Sequence, residues 1–203
     1  MHLTMQAVLG LPGADELGWV DDVLSALDPE KGALGAVVAR AEGEPRGHVA
    51  MLWPDPSDDG PGRATADALP GSVALGPVHA YRVLATALPV DPGAPRCLQL
   101  TQFTGPRSAE WVEAFERAGR DRIWPAVRDV PGAAATLTGV AADGGCLTLT
   151  LAESRESIGE SVRRLMSTQL LPGERPELLT GPDRIEIQRV VHAVLPEGPW
   201  SLR

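Results

Sequence analysis

The 203-residue chain has few of the residues that mark secreted, membrane or metal-binding proteins. It contains two cysteines, Cys97 and Cys146, and neither belongs to a CxxC or Cys/His spacing. We therefore predict reduced structural thiols and no metal site. No apolar run approaches the roughly 20 residues that a membrane helix needs, and the amino-terminal sequence lacks the features of a secretory signal. These absences favour a cytoplasmic protein that does not bind a membrane.

Positive charge is also scarce. The 18 basic residues, of which only Lys31 is a lysine, are outweighed by 27 acidic ones, for a net charge of −9. The basic residues are spread along the chain, whereas binding to a phosphate backbone requires clustered cations. We therefore predict no nucleic-acid partner. The chain also lacks a Ser-His-Asp signature, a P-loop and a GxGxxG motif after a strand.

An internal repeat is the most informative feature that the sequence does contain. YRVLATALP matches QRVVHAVLP, which aligns Arg82 with Arg189. GWVDDV matches EWVEAF, which aligns Trp19 with Trp111. Two matches in the same order indicate a duplicated unit. The predicted boundaries are a first half over 1–89, a linker over 90–95, a second half over 96–196 and a tail over 197–203.

The second half has the β-α-β-β-α-β order of a ferredoxin-like unit. Ser108 and Ser154 are candidate N-caps for its two helices. Trp111, Val112 and Phe115 recur at helical spacing in the first of these helices. In the second helix, a shared face is predicted for Ile158, Val162, Leu165, Met166 and Gln169. Strands are predicted over 96–104, 136–140, 146–151 and 185–195.

The first half repeats this order with one element missing. Strands are predicted over 1–9, 36–41, 48–53 and 79–88. Asp15 is the candidate N-cap of a helix that carries Leu17, Val20, Leu24 and Leu27. Where the second helix should follow, residues 54–75 are rich in proline and glycine, which predicts a loop.

Each predicted half has helices on one face of an antiparallel sheet, so the other face must be buried elsewhere. Two such sheets that close on each other would bury both faces and remove exposed strand edges. The predicted fold class is therefore α+β, with two ferredoxin-like halves that form an intramolecular α/β barrel. This arrangement is a pseudo-dimer within one chain, and it leaves further homodimerisation open.

With this order of elements, the chain resembles the dimeric α/β-barrel superfamily, particularly the antibiotic-biosynthesis monooxygenase family. VPG at 130–132 is similar to the family's turn into its second strand. LTLTLAESRES at 147–157 is similar to its third strand, which ends in a Trp-x-Ser-x-Glu type of sequence. Ser154 and Glu156 fit that sequence, while Ala152 stands at the tryptophan position. In the first half the corresponding strand does end in a tryptophan, Trp53.

The resemblance implies a small-molecule-binding barrel, with cofactor-independent monooxygenase activity on aromatic polyketide-like substrates as the expected reaction. Active members of the family typically use an asparagine and a tryptophan, sometimes with a histidine on the second helix. This chain has no asparagine, and its second helix has no histidine. The alternative is a non-catalytic barrel that binds a ligand or a protein in a stress response or in regulation.

A ligand pocket is predicted in the second half, between the sheet and the helices of Trp111 and Met166. Its predicted ligand-binding residues are Phe103, Trp111, Phe115, Met166 and Arg189. Apolar walls with a few polar groups are typical of small-molecule sites. The alternative is that these aromatic side chains anchor the helix to the sheet as part of a solid core.

The candidate catalytic residues are His192, His79 and Tyr81, because a histidine near neutral pKa can act as a base toward a phenol. Strand alternation predicts one face shared by Gln188, Val190 and His192. A hydrogen-bonded structural histidine is the alternative for each. His48 is expected to be exposed. Arg82 and Arg189 are expected to have acidic or carbonyl partners, because a buried unpaired guanidinium is costly.

Overall fold

The computed structural model describes residues 1–11, 20, 33–54, 73–89 and 92–195. The predicted loop over 54–75, most of the helix that Asp15 would cap, and the tail over 197–203 lie largely or wholly outside these residues. The strands are β1 (His2–Leu9), β2 (Gly35–Ala41), β3 (Arg46–Trp53), β4 (Ala74–Ala87), β5 (Cys97–Phe103), β6 (Ala133–Val140), β7 (Cys146–Ala152) and β8 (Arg184–Val194). The helices are α1 (Ala109–Ala118), a π-helical turn (Gly119–Ile123), α2 (Trp124–Val127), α3 (Arg155–Ser167) and a 3-10 turn (Pro176–Leu178).

The strands form a closed antiparallel barrel in the order β1-β3-β2-β8-β5-β7-β6-β4. This confirms the α+β barrel expected from the sequence. If β1, β2, β3 and β4 trade places with β5, β6, β7 and β8, respectively, the cyclic order of the strands stays the same. A duplicated unit requires this symmetry. None of the helices in the described residues is long and apolar enough to span a membrane.

Two compact units divide the chain, and each closing strand is split between them. The first unit is Met1–Arg82 with the segment that starts at Gln188, and the second contains Val83–Ile187. In the first unit, β1 pairs with β3 and β4, and β2 pairs with β3 and β8. Its core includes Val8, Val38, Val49 and Met51, with Val20 packed against them.

The second unit forms its helices at the serine caps that the sequence predicts. Ser108 Oγ accepts a hydrogen bond from the backbone N–H of Trp111 at 3.1 Å, at the start of α1. Ser154 Oγ accepts from the N–H of Ser157 at 3.2 Å, at the start of α3. Each cap satisfies a backbone donor that has no partner within its own helix. Helix α3 packs against β6, β7 and α2.

The α3 residues that are predicted to share a face differ in burial. Ile158 is 2% exposed, but Val162 is 40% and Met166 75% exposed. Helical spacing gives these residues a common stripe, but the sheet covers only the amino-terminal part of it.

The predicted face on β8 is also wrong. Val38 of β2 pairs with His192, whereas the adjacent Ala39 pairs with Val190, so Val191 is an extra residue in β8. Such a bulge shifts the side-chain alternation by one position. His192 therefore shares the face of Val38, while Val190 and Gln188 share that of Ala39.

His48 is buried rather than exposed. His48 is 8% exposed, and Gln188 is 1% exposed. His48 Nδ1 and Gln188 Nε2 lie 2.7 Å apart within hydrogen-bonding distance. The predicted strand begins at His48, whereas β3 begins at Arg46 and Gly47 is already paired with Val8 of β1. Arg82 and Arg189 are both exposed, so neither incurs the cost of burial that motivated their expected partners.

Candidate functional site

The second-unit sheet β5-β7-β6 has two chemically different faces. One face is leucine-rich, and its members are almost completely buried: Leu98, Leu100, Leu147, Leu149 and Leu151 are each at most 1% exposed. The opposite face contacts α1, because Phe103, Val140 and Cys146 pack there against Trp111. Further along the strands from these apolar contacts, the same face of the sheet is polar. We call this set the polar floor: Gln99, Thr101, Thr136, Thr138, Thr148 and Thr150.

The polar floor is a compact grid of two cross-strand rows. In one row Thr150 of β7 pairs with Gln99 and Thr136, and in the other Thr148 pairs with Thr101 and Thr138. Neighbouring strands lie about 4.8 Å apart, and successive residues on one face about 7 Å apart. All six side chains are partly accessible, while their leucine neighbours are buried. The α1-facing side of the sheet is therefore partly accessible to solvent.

Two internal hydrogen bonds organise the polar floor. Gln99 Nε2 donates to Thr101 Oγ1 at 3.0 Å. The Thr138 and Thr148 hydroxyls lie 3.3 Å apart across the strand pair. A hydroxyl has one donor and two acceptor positions, so each pair retains hydrogen-bonding capacity beyond its internal bond.

The four grid positions on β6 and β7 are apolar in the first unit. Val38 pairs with Val49 where the second unit pairs Thr138 with Thr148. Likewise, Ala36 pairs with Met51, where the second unit pairs Thr136 with Thr150. Threonine and valine have nearly the same shape, but a covered hydroxyl costs free energy unless it is hydrogen-bonded. Packing therefore does not require the threonines of β6 and β7, because the first unit has hydrocarbon side chains at the equivalent positions.

The polar residues that do occur on this face of the first unit are used internally. Trp53 Nε1 donates to Thr4 Oγ1 at 3.0 Å, and Gln6 Nε2 donates to the Gly76 carbonyl at 2.8 Å. By register, Gln99 replaces Thr4 and Ala152 replaces Trp53 in the second unit. No indole nitrogen is therefore supplied from that position to the polar floor.

An aromatic cluster of Phe103, Trp111 and Phe115 borders the polar floor at the α1 end. The Trp111 and Phe115 rings are stacked with centroids 5.1 Å apart, and Phe103 meets the two rings at 5.5 and 4.9 Å. Trp111 is 5% exposed. These geometries are favourable for aromatic pairs, so the cluster forms a continuous apolar wall.

Arg107, which precedes α1, connects this wall to the segment that precedes β8. The Arg107 guanidinium lies 5.0 Å from the Trp111 ring centroid, and its Nη2 lies 2.8 Å from Asp183 Oδ2. Trp111 Nε1 donates to Thr180 Oγ1 at 3.3 Å. The backbone N–H of Thr104 donates to the Asp183 carboxylate, and with Arg107 it lowers the pKa of that group. We call this set the Arg107 bridge.

A second ion pair fixes the helices above the sheet. Arg122, in the π-helical turn, places Nε 2.9 Å from Glu174 Oε2, with side chains 12% and 4% exposed. Its Nη1 donates to Thr168 Oγ1 at 2.7 Å, just beyond α3. The π turn thus tethers α1 and α2 to the end of α3.

The structure brings together three of the five predicted ligand-binding residues, Phe103, Trp111 and Phe115. Met166 lies on the exposed side of α3, and Arg189 is exposed in the first unit. The candidate catalytic residues also belong to the first unit. His79 and Tyr81 share a face of β4, opposite Met5 and Leu3 of β1. His192 lies opposite Val38.

The polar floor was not predicted from the sequence, although the sequence contains a pattern that corresponds to it. ATLTG and LTLTL alternate threonine with leucine, which is typical of strands with one polar face. Such strands usually turn their polar face to solvent, and only the structure shows helix α1 against that same face. Among the described residues, no three His, Cys, Asp or Glu side chains are grouped so that they could hold a metal ion.

No protein-family model and no curated protein sequence matches the chain. Solved structures do. A candidate monooxygenase from Fusobacterium nucleatum has a TM-score of 0.66 at 9% identity, over 100% of this chain and 98% of that chain. One from Lactobacillus acidophilus has a TM-score of 0.65 at 8% identity, over 96% of both chains. A ferredoxin-fold protein from Listeria monocytogenes, related to antibiotic-biosynthesis monooxygenases, has a TM-score of 0.55 at 10% identity, over 93% and 95%.

The chain has the fold of these proteins. At such identities the likeness concerns the fold alone, because one fold carries many activities. An anthrone oxidase-like protein and a haem-degrading enzyme from Listeria monocytogenes also share it. The barrel expected from the resemblance is thus confirmed, and the activity must be argued from the site.

Proposed function

We propose that the protein binds a planar, oxygen-bearing aromatic molecule on the polar floor of its second unit. We further propose that it oxidises this molecule with molecular oxygen, as a cofactor-independent monooxygenase. The observation that carries the proposal is the contrast between the threonine pairs of the polar floor and the Val38–Val49 pair at the same lattice position of the first unit. Polar groups beside an apolar wall are typical of small-molecule sites.

The aromatic cluster would set the orientation of the ligand. Phe103 belongs to the strand that also carries Thr101 and Gln99, on the same face. An apolar ring edge would lie against Phe103, and oxygen substituents would lie over the hydroxyl rows. The Arg107 bridge fixes Trp111 within the aromatic cluster, since Trp111 Nε1 donates to Thr180 Oγ1.

The reaction that fits a site of this kind takes its electrons from the substrate. In an anthrone-type substrate, an activated CH₂ becomes C=O. One atom of O₂ enters the product, and the other leaves with both hydrogens as water. The four electrons lost by carbon are those gained by oxygen, so no external reductant is needed. The protein would bind and orient the substrate and exclude water from one of its faces.

A non-catalytic binding barrel is the second candidate, and one observation favours it. The polar floor consists of one amide and five hydroxyl side chains, none of which is a base at neutral pH. The histidines proposed as bases, His79 and His192, are in the first unit. An oxidase with this site would depend on a substrate that loses its own proton readily.

The decisive experiment combines ligand titration, followed by tryptophan fluorescence, with oxygen consumption in the presence of anthrone. We expect saturable binding and uptake of one O₂ per anthrone above the uncatalysed rate. The variant Thr138→Val/Thr148→Val should weaken binding by about tenfold or more, because two hydrogen-bonding groups are lost. Binding without oxygen uptake would establish the non-catalytic alternative. Absence of both would refute the proposal.

A further inference from the structure

Gln99 and Thr101 together determine what kind of ligand edge the polar floor can recognise. They are successive residues of one face of β5, and Gln99 Nε2 donates to Thr101 Oγ1 at 3.0 Å. That bond leaves the amide oxygen of Gln99 as an acceptor and the Thr101 hydroxyl hydrogen as a donor. The two groups are side by side.

The opposite assignment of the amide leads to the same result. If the amide oxygen accepted from the Thr101 hydroxyl, the amide NH₂ would become the outward donor and Thr101 Oγ1 the outward acceptor. Either way, the pair presents at least one donor next to one acceptor. The Thr138–Thr148 pair behaves similarly, since whichever hydroxyl donates internally leaves the other with its own hydrogen.

We propose that the ligand is neutral and carries a donor and an acceptor on neighbouring atoms of one edge, as in a cis-lactam or a hydroxyl beside a carbonyl. The inference rests on the proposed function, since it assigns the chemistry of the ligand at that site. Neutrality follows because all six side chains of the polar floor are uncharged, and an ion held there would lose hydration without a counter-charge. A ligand edge with acceptors alone would leave one group of each pair unsatisfied.

Three probes of nearly the same shape test this inference. 2-Quinolone has an N–H beside its carbonyl, whereas coumarin and N-methyl-2-quinolone have no such donor. We expect 2-quinolone to bind about tenfold more tightly than either, which corresponds to about one well-formed neutral hydrogen bond. Titration calorimetry at neutral pH gives the three affinities.

Variants identify the residues responsible. Gln99→Leu and Thr101→Val should each abolish the preference for 2-quinolone. The matched control is Gln102→Leu, on the same strand but on the leucine-rich face, opposite Leu147. It should retain the preference, and thermal unfolding of each variant checks that the fold is intact.

Each other outcome is informative. If the three probes bind equally but all weaken in Thr138→Val/Thr148→Val, the inference about the ligand edge is wrong and the proposed function stands. A preference that survives both Gln99→Leu and Thr101→Val also overturns the inference. If no probe binds up to its solubility limit, both this inference and the proposed function are refuted.

Discussion

Thr138 and Thr148 occupy a cross-strand position at which we expect valine to make the protein more stable. Their hydroxyls satisfy each other at 3.3 Å, and the equivalent Val38–Val49 pair is buried core. Replacing both members of a hydrogen-bonded pair by apolar groups of the same shape is neutral or stabilising. A site kept polar at the expense of stability is typical of binding surfaces.

We therefore expect Thr138→Val/Thr148→Val to raise the free energy of unfolding by about 0.5–1.5 kcal/mol, or the thermal midpoint by a few degrees. The matched variant Val38→Thr/Val49→Thr should lower it by about 2 kcal/mol or more, because two hydroxyls enter a closed core. Calorimetric melting of both proteins checks this. If Thr138→Val/Thr148→Val is instead the less stable of the two, the threonines of the polar floor stabilise the fold and are not kept at its expense.

At the scale of elements, the sequence predicts what depends on local chemistry. Ser108 and Ser154 cap their helices as expected, because a serine hydroxyl meets a backbone donor three residues ahead. Alternating threonine and leucine likewise predicts β6 and β7. These features require only neighbouring residues.

Features that depend on distant residues were not predictable. The extra residue Val191 follows from the register between β2 and β8, which no local pattern records. The π-helical turn before α2 contains Arg122, whose partner Glu174 lies some fifty residues further along the chain. The polar floor became a candidate site only when Trp111 of α1 proved to lie against the same sheet face.

The Arg122–Glu174 pair provides a test at this scale. Both side chains are nearly buried, so Arg122→Met would leave the Glu174 carboxylate without its cation. The same carboxylate also accepts a hydrogen bond from the backbone N–H of Leu171. We expect a loss of about 3 kcal/mol in the free energy of unfolding, measured by urea denaturation. The control is Arg163→Met, whose partner is Glu160 and whose side chain is 74% exposed. That change should cost less than about 1 kcal/mol. Equal effects would show that the π turn is not held by this ion pair.

For the whole molecule, an excess of acidic residues and a set of carboxylates with lowered pKa have opposite consequences for stability. The net charge of −9 at pH 7 disfavours the compact state through repulsion, and this repulsion declines toward the pI of about 4.9. The pKa of Asp183 is lowered by the Thr104 N–H and by Arg107, and that of Glu160 mainly by Arg164. The pKa of Glu177 is lowered mainly by Arg175.

The sign of each effect predicts a maximum in stability. A carboxylate whose folded pKa is lowered stabilises the fold above its unfolded pKa, and this contribution is lost as pH falls through the folded value. We therefore expect the thermal midpoint to rise from pH 7 to about pH 5 and to fall below about pH 4, where the unfolded chain takes up more protons than the folded one. Added salt should reduce the rise by screening repulsion.

The variant Asp183→Asn keeps an acceptor for the Thr104 N–H but loses the charge opposite Arg107. It should therefore lower the thermal midpoint at pH 7 and make the fall of the midpoint below pH 4 less steep. A midpoint that falls steadily from pH 7 to pH 5 would mean that the acidic excess does not destabilise this barrel.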